Sequence, residues 1–369
     1  MQAELLVLNA AWTAIIAGVR PPQFIGSQVA PWAPCDFVSG IDINLYRVNP
    51  AAALKIESTA VGRYGNLPVF DMEIDRTQFQ LTDYGRQVRT GVAEEGLFNG
   101  QFNGVNFIVP PLGDLRLFKL KNAAANFWFE HEVAVRNMVH TSAFYDAGLV
   151  FNVGDPIDAV NAPNGAKFVA FDDPDANPIQ SIQRLCDAPL IPGNTAVMGL
   201  SVWRALERNK ALNSYVRGIP GIAQTESGLL TEAQFASAFG LEKVIVGKQR
   251  VNLGTVAAPK YARVWKRDFA IINVAPPTLT TAQTTDVFCL SPFGKMQFQI
   301  KDAGSPYGNA GDVVNPGVPL AIVSNYLKPG EENAGIRGCW QDCMFGCRGV
   351  ASINKNAGAL INDCVSNDV

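Results

Sequence analysis

Asn194-Thr195-Ala196-Val197-Met198-Gly199-Leu200-Ser201-Val202-Trp203-Arg204-Ala205-Leu206 reads as a buried strand running straight into a helix. Thr195 to Met198 is a short apolar run of strand length, and Ser201 is placed to cap a helix carrying Val202, Trp203 and Leu206. Downstream, Thr231 and Gln234 stand at capping-box spacing before a helix to Phe239 that Gly240 closes. Strands follow at Lys243 to Val246 and Val264 to Val274. Upstream, Ile179 to Asp187 reads as a helix, so residues 179–320 alternate helix and strand as one α/β unit.

Ahead of that unit a helix begins after Pro110-Pro111, with Asp114 as N-cap, and runs to about Tyr145. Leu117, Leu120, Ala124, Trp128, His131, Val135 and Met138 share one sector, and Lys119, Asn122, Asn126, Glu130 and Asn137 lie opposite. A helix about 45 Å long with one apolar stripe is a spine laid across a sheet, or a bundle member. Residues 51–95 read as a β-hairpin. In Val69-Phe70-Asp71-Met72-Glu73-Ile74-Asp75, the residues Phe70, Met72 and Ile74 share one face and Asp71, Glu73 and Asp75 the other, after the turn-rich Gly62-Arg63-Tyr64-Gly65-Asn66-Leu67-Pro68. A two-stranded ribbon is marginal alone, so this one is expected to pair with another subunit, through its acidic row and through Arg63 at the turn.

Residues 1–50 are apolar and proline-rich, an extended arm that cannot bury Trp12, Phe24 and Trp32 against itself; these need the chain's own core or a neighbour's surface. The stretch 321–369 returns to strands, with a last apolar element at Ala357 to Val365.

Charged residues make 17% of the 369, against a typical value near 25%, which fits a surface largely covered by other subunits. With 30 basic and 33 acidic residues and a net charge of −3, a strongly positive nucleic-acid binder is excluded, and any contact with nucleic acid is weak. Leu5 to Val19 follows Glu4, is broken by Asn9 and Thr13, and matches neither a signal peptide nor a membrane span. Seven cysteines without an export signal point to a reducing cytoplasm.

No assembled active site emerges. His131 and His140 lie on opposite sides of a helix and cannot share a metal within it; His131, on the apolar stripe, reads as a hydrogen-bonded core residue. In Gly199-Leu200-Ser201-Val202-Trp203, Trp203 replaces the second glycine of a nucleophile elbow. Asp173, Asp175 and Asn177 match the start of a calcium loop, but Pro178 replaces its glycine and Arg184 its bidentate glutamate. Gly247-Lys248 lacks the spacing of a phosphate loop. Cys339, Cys343 and Cys347, with Cys364 beyond, leave three readings: buried thiols spread along a strand, a zinc site, or inter-chain disulfides. Catalytic, cofactor and metal residues are therefore none in this reading.

The order of elements, arm, hairpin, spine helix, α/β unit and return strands, carries a resemblance. So do four phrases: Asp172-Asp173-Pro174-Asp175-Ala176-Asn177-Pro178-Ile179; Asn194 to Leu206 followed by Asn209; Gly228-Leu229-Leu230-Thr231-Glu232-Ala233-Gln234 through Leu241-Glu242-Lys243-Val244-Ile245-Val246-Gly247; and Val264-Trp265-Lys266-Arg267-Asp268-Phe269-Ala270. In these the chain resembles the major capsid proteins of tailed bacteriophages, with the α+β fold named after phage Hong Kong 97. The resemblance implies an N-terminal arm (1–50), an extended hairpin loop reaching over a neighbour (51–95), a peripheral domain with the spine helix (96–178), an axial domain around capsomer centres (179–320) and return strands of the peripheral domain (321–369). It also implies hexamers and pentamers closing into an icosahedral shell around double-stranded DNA, a virion location after assembly in the bacterial cytoplasm, and no catalysis. Because the arm begins almost at Met1, a separate scaffolding protein is expected, with a portal and a possible decoration protein as further partners and no membrane. No residues are assigned to self-crosslinking. Two other classes stand beside it: an encapsulin-like nanocompartment shell enclosing protein cargo, and a metal enzyme using the cysteines.

Overall fold

The computed structural model describes residues 7–8, 24–30, 32–34, 42–48, 74–80, 82–92, 94, 101–102, 105–106, 115–157, 165–173, 175–190, 192–220, 229–255, 257–274, 294–299, 321–330, 338–352 and 355–366. Its N-terminal half holds β1 (Val7–Leu8), α1 (Gly26–Val29), β2 (Trp32–Pro34), β3 (Asp42–Val48), β4 (Ile74–Gln80), β5 (Thr82–Gly91), β6 (Gln101–Phe102), β7 (Val105–Asn106), α2 (Leu115–Val139) and β8 (Val150–Asn152). Then come α3 (Ile179–Asp187), β9 (Thr195–Gly199), α4 (Leu200–Arg208), α5 (Lys210–Gly218), α6 (Glu232–Ala238), β10 (Lys243–Gly247), β11 (Arg250–Asn252), β12 (Tyr261–Arg263) and β13 (Phe269–Ile272). The C-terminal part adds β14 (Gly294–Gln299), β15 (Ala321–Leu327), β16 (Cys339–Ser352) and β17 (Gly358–Asn362).

Among the described residues, five strands form a sheet in the order β10-β9-β13-β17-β8. β9 and β13 are buried along their whole length, the continuous apolar run expected of strands covered on both faces. Helices α3, α4 and α6 pack on this sheet. A six-stranded sheet runs β1-β15-β16-β14-β2, with β5 also pairing on β16. The long helix α2 joins the two. Its Leu120, Ala123, Ala124, Phe127 and Trp128 pack with Met344 of β16, and its Val135, Met138 and Val139 enter the core of the five-stranded sheet. The stripe read as a spine is thus shared between two cores, and no helix among the described residues is long and apolar enough to cross a membrane.

Several expectations change in detail. The spine helix ends at Val139, not near Tyr145, because the Tyr145 hydroxyl folds back and donates to the Val139 carbonyl at 2.6 Å; short 3-10 turns follow. Gly199, not Ser201, occupies the N-cap of α4, and Ser201 is buried inside its first turn. Glycine is needed there because a Cβ would lie 2.6 Å from the Trp265 carbonyl oxygen. Helix α5 was not anticipated: Asn209 ends α4 and its side chain accepts from the Leu212 N–H at 2.9 Å, restarting the helix at once. The capping box of Thr231 and Gln234 is present, and Gly240 closes α6 at φ +67°. Strand β17 does not join the other return strands; it inserts between β13 and β8. The α/β sheet therefore recruits strands from both sides of residues 179–320. Asp114 lies outside the described residues.

Candidate assembly surface

The hairpin pairs β3 with β4 antiparallel, Asp42 opposite Gln80 through Val48 opposite Ile74, so its ladder begins inside the stretch read as arm. β4 continues past one residue into β5, which pairs with β16 over ten positions, from Thr82 opposite Arg348 to Gly91 opposite Cys339. The hairpin is therefore an outgrowth of the six-stranded sheet.

Of the residues singled out for subunit contact, Trp12, Arg63, Asp71 and Glu73 lie outside the described residues. Asp75 sits in β4 at the position opposite Arg47, so within the ladder its cross-strand neighbour is a cation of its own chain. Trp32 belongs to β2, in parallel register with Met296 of β14. Phe24 is half-buried with its ring edge-on to Phe129 of α2, centroids 5.0 Å apart. Of the two surfaces open to it, Phe24 takes its own chain's.

The far end of β5 is held by α2. Lys119 donates to the Arg89 carbonyl at 3.2 Å and pairs with Glu94 at 2.6 Å, and that hydrogen bond holds the Glu94 carboxyl below the usual range. Deeper, Arg116 grips Asp342 of β16 with two hydrogen bonds, Nε to Oδ2 at 2.6 Å and Nη2 to Oδ1 at 2.5 Å. The guanidinium lies 4.1 Å from the Trp340 ring centroid, and the Ser324 hydroxyl donates to Asp342 at 2.7 Å. Sequence reasoning missed this pair, which is 226 residues apart; its one visible signal was a carboxylate, Asp342, among the largely apolar residues of the strand.

A second junction was also missed. Glu132 of α2 is buried beside His131 on the face read as apolar, and its carboxylate accepts three N–H groups, from Ile25, Gly26 and the Trp265 indole. Burial pushes this carboxyl up. Trp265 itself is fully buried, in a slot made by Gly199 and Gly247, which pair directly across β9 and β10; a Cβ on Gly247 would overlap the indole. The glycines that matched no nucleotide or nucleophile motif thus make room for a tryptophan.

His131 is buried edge-on to Trp128, and His140 edge-on to Trp265 with centroids 5.2 Å apart. Burial first, and the charge of Arg136 second, push the His140 imidazole down to about 3. Asp268 stands 3.7 Å from its Nδ1, but burial outweighs that attraction and pushes the Asp268 carboxyl up as well. Asp173 accepts from the Asp175 N–H and Asn177 from the Ile179 N–H, so these two side chains of the would-be calcium loop are spent on turns. Cys339 and Cys343 are free thiols on β16, the strand that also carries Cys347. Among the described residues no group of three or more His, Cys, Asp or Glu side chains could hold a metal ion.

No protein-family model and no curated protein matches the sequence. Solved structures do match in fold. A phage-related protein from Bordetella bronchiseptica RB50 is 14% identical, with a TM-score of 0.61 over 98% of this chain and 99% of the other. The putative capsid protein of a prophage from E. coli CFT073 is 12% identical, with a TM-score of 0.53 over 97% and 99%. Both likenesses run over nearly the whole of each chain and show that the chain shares the fold of these two proteins.

Proposed function

We propose that this chain is a major capsid protein that assembles through its own copies into hexamers and pentamers of an icosahedral shell enclosing double-stranded DNA. The supporting observation is the likeness in fold, over 97% of this chain, to the putative capsid protein of a prophage. In this reading the β3-β4 hairpin is the extended loop lying over a neighbouring subunit, α2 with β15 and β16 forms the peripheral domain, and the five-stranded sheet with its helices forms most of the axial domain. Its work is contact rather than catalysis, its place is the virion, and scaffolding, portal and decoration proteins are its further partners. Trp12, Trp32, Arg63, Asp71, Glu73 and Asp75 are assigned to subunit contacts.

The test is electron microscopy and ultracentrifugation of the purified chain, wild type and Asp71→Lys with Glu73→Lys. Wild type should form closed particles; the double variant should keep a native circular dichroism spectrum and form few. Each exposed ion pair contributes only about 0–1 kcal/mol, but closure repeats it around the shell. A stable wild-type monomer across the micromolar range overturns the reading, and normal shells from the variant remove the acidic row from it. Particles recovered from the producing cells should protect double-stranded DNA from nuclease. Protein cargo in its place would transfer the chain to the nanocompartment class.

A further inference from the structure

Three parts of the chain meet on the Glu132 carboxylate, a side chain only 1% exposed. Its Oε1 accepts the Ile25 N–H at 3.1 Å and the Trp265 indole N–H at 2.6 Å, and its Oε2 accepts the Gly26 N–H at 2.8 Å. All three donors are neutral, and no described Lys, Arg or His forms an ion pair with it. Ile25 and Gly26 open the arm root, residues 24–30, whose Ile25, Val29 and Ala30 are buried. Trp265 belongs to the α/β unit, and Glu132 to the helix between.

Neither side of this junction has slack. A Cβ on Gly26 would lie 2.8 Å from Glu132 Oε2 and 3.3 Å from Val135 Cγ2, so the arm backbone lies directly on α2. Trp265 is held on the other side by the Gly199–Gly247 slot and cannot follow a displaced carboxylate without leaving it. Among the described residues the arm root and Trp265 share no hydrogen bond except through Glu132. A second tie, Lys243 Nζ to Gln28 Oε1 at 2.8 Å, links α1 to the start of β10 in the same direction.

We infer that Glu132 is a latch coupling the docking of the arm root to the seating of Trp265, so that loosening either one loosens the other. The carboxylate has two oxygens for three donors, and losing one donor frees it to rotate toward the rest of its surroundings. The coupling is a property of the single chain and holds whether or not it builds shells. By thermodynamic linkage the effect must be reciprocal, with the same factor in both directions.

The experiment is hydrogen exchange by mass spectrometry on the full chain, following peptides 24–30, 264–268 and, as a core reference, 269–272. Trp265→Phe removes the indole N–H and keeps an aromatic ring in the slot. It should speed exchange in 24–30 at least tenfold while 269–272 stays unchanged. Gly26→Ala, which pushes the arm off the carboxylate, should speed exchange in 264–268 by a similar factor. Unchanged exchange in 24–30 of Trp265→Phe overturns the latch. If that variant also loosens 269–272, Gly26→Ala decides alone, and unchanged exchange in its 264–268 segment overturns the latch.

Discussion

Replacing Asp342 by Asn keeps the side chain's shape and removes the charge that the buried Arg116 guanidinium grips. Asp342 is 0% exposed and Arg116 8%, so little water can reach the guanidinium to replace the lost charge. Two charge-assisted hydrogen bonds, at 2.6 and 2.5 Å, are lost or weakened together with the Ser324 contact. Removing one partner of a buried pair costs about 3–5 kcal/mol. The packing of Arg116 on Trp340 survives the change and draws the expectation to the lower end, about 3 kcal/mol. That is a factor of roughly 150 in the folded-to-unfolded ratio. The assay is urea unfolding at one fixed protein concentration, since any self-association stabilises the folded chain. Arg116→Met combined with Asp342→Leu fills the same space with apolar groups and should recover most of the loss, as buried pairs often do. A loss below about 1 kcal/mol in Asp342→Asn, or a double variant no better than the single one, would refute the view that this pair pins the long helix to the return strands.

Two further outcomes follow from the buried groups. His140, held down to about 3 where an unfolded histidine titrates near 6.5, leaves the native state unprotonated while the unfolded state takes up a proton. Its stabilisation is complete above pH 6.5 and is lost as pH falls, by about 2 kcal/mol at pH 5. Glu132 and Asp268, both raised by burial, act in the opposite sense, their stabilisation present at low pH and lost as pH rises through their folded values. His140→Gln should therefore lose about 2 kcal/mol less than wild type between pH 8 and pH 5, and equal losses would contradict the assignment. Gly199→Ala and Gly247→Ala should each cost about 1–3 kcal/mol in thermal or urea unfolding, since a Cβ meets the Trp265 and Lys266 backbone at one site and the Trp265 ring at the other. Gly148→Ala, which meets nothing within 4 Å, is the control and should lie within about 0.5 kcal/mol of wild type.

Periodic stretches were legible in the sequence because one periodicity decides them. The apolar stripe from Leu117 to Met138 sits on α2, the capping box opens α6, and the alternation around Cys339 to Cys347 is the strand β16. What escaped depends on partners far away in the chain. Val139 ends its helix because Tyr145 supplies a hydroxyl, a contact no helix propensity contains. Gly358–Asn362 reads as one more return strand until the unpaired edge of β13 claims it. The short arm helix α1 is held in place by Glu132, more than a hundred residues later. In the candidate assembly surface Arg47 opposite Asp75 was not legible, because register between strands joined by a long connection is set by the fold around them, and the acidic alternation over 69–73 lies outside the described residues.

The ten-position ladder between β5 and β16 has a mechanical consequence. A force drawn along the axis of β5 loads the hydrogen bonds to β16, which run across the strands, all together in shear. On the other edge of β16, the ladders to β15 and β14 pass that load across the rest of the sheet. A force lifting the hairpin sideways from residue 82 would instead open the same ladder one pair at a time, like a zip. The sheet therefore resists a pull along β5 and yields to a peel across it, and its yield point depends on the direction of the load.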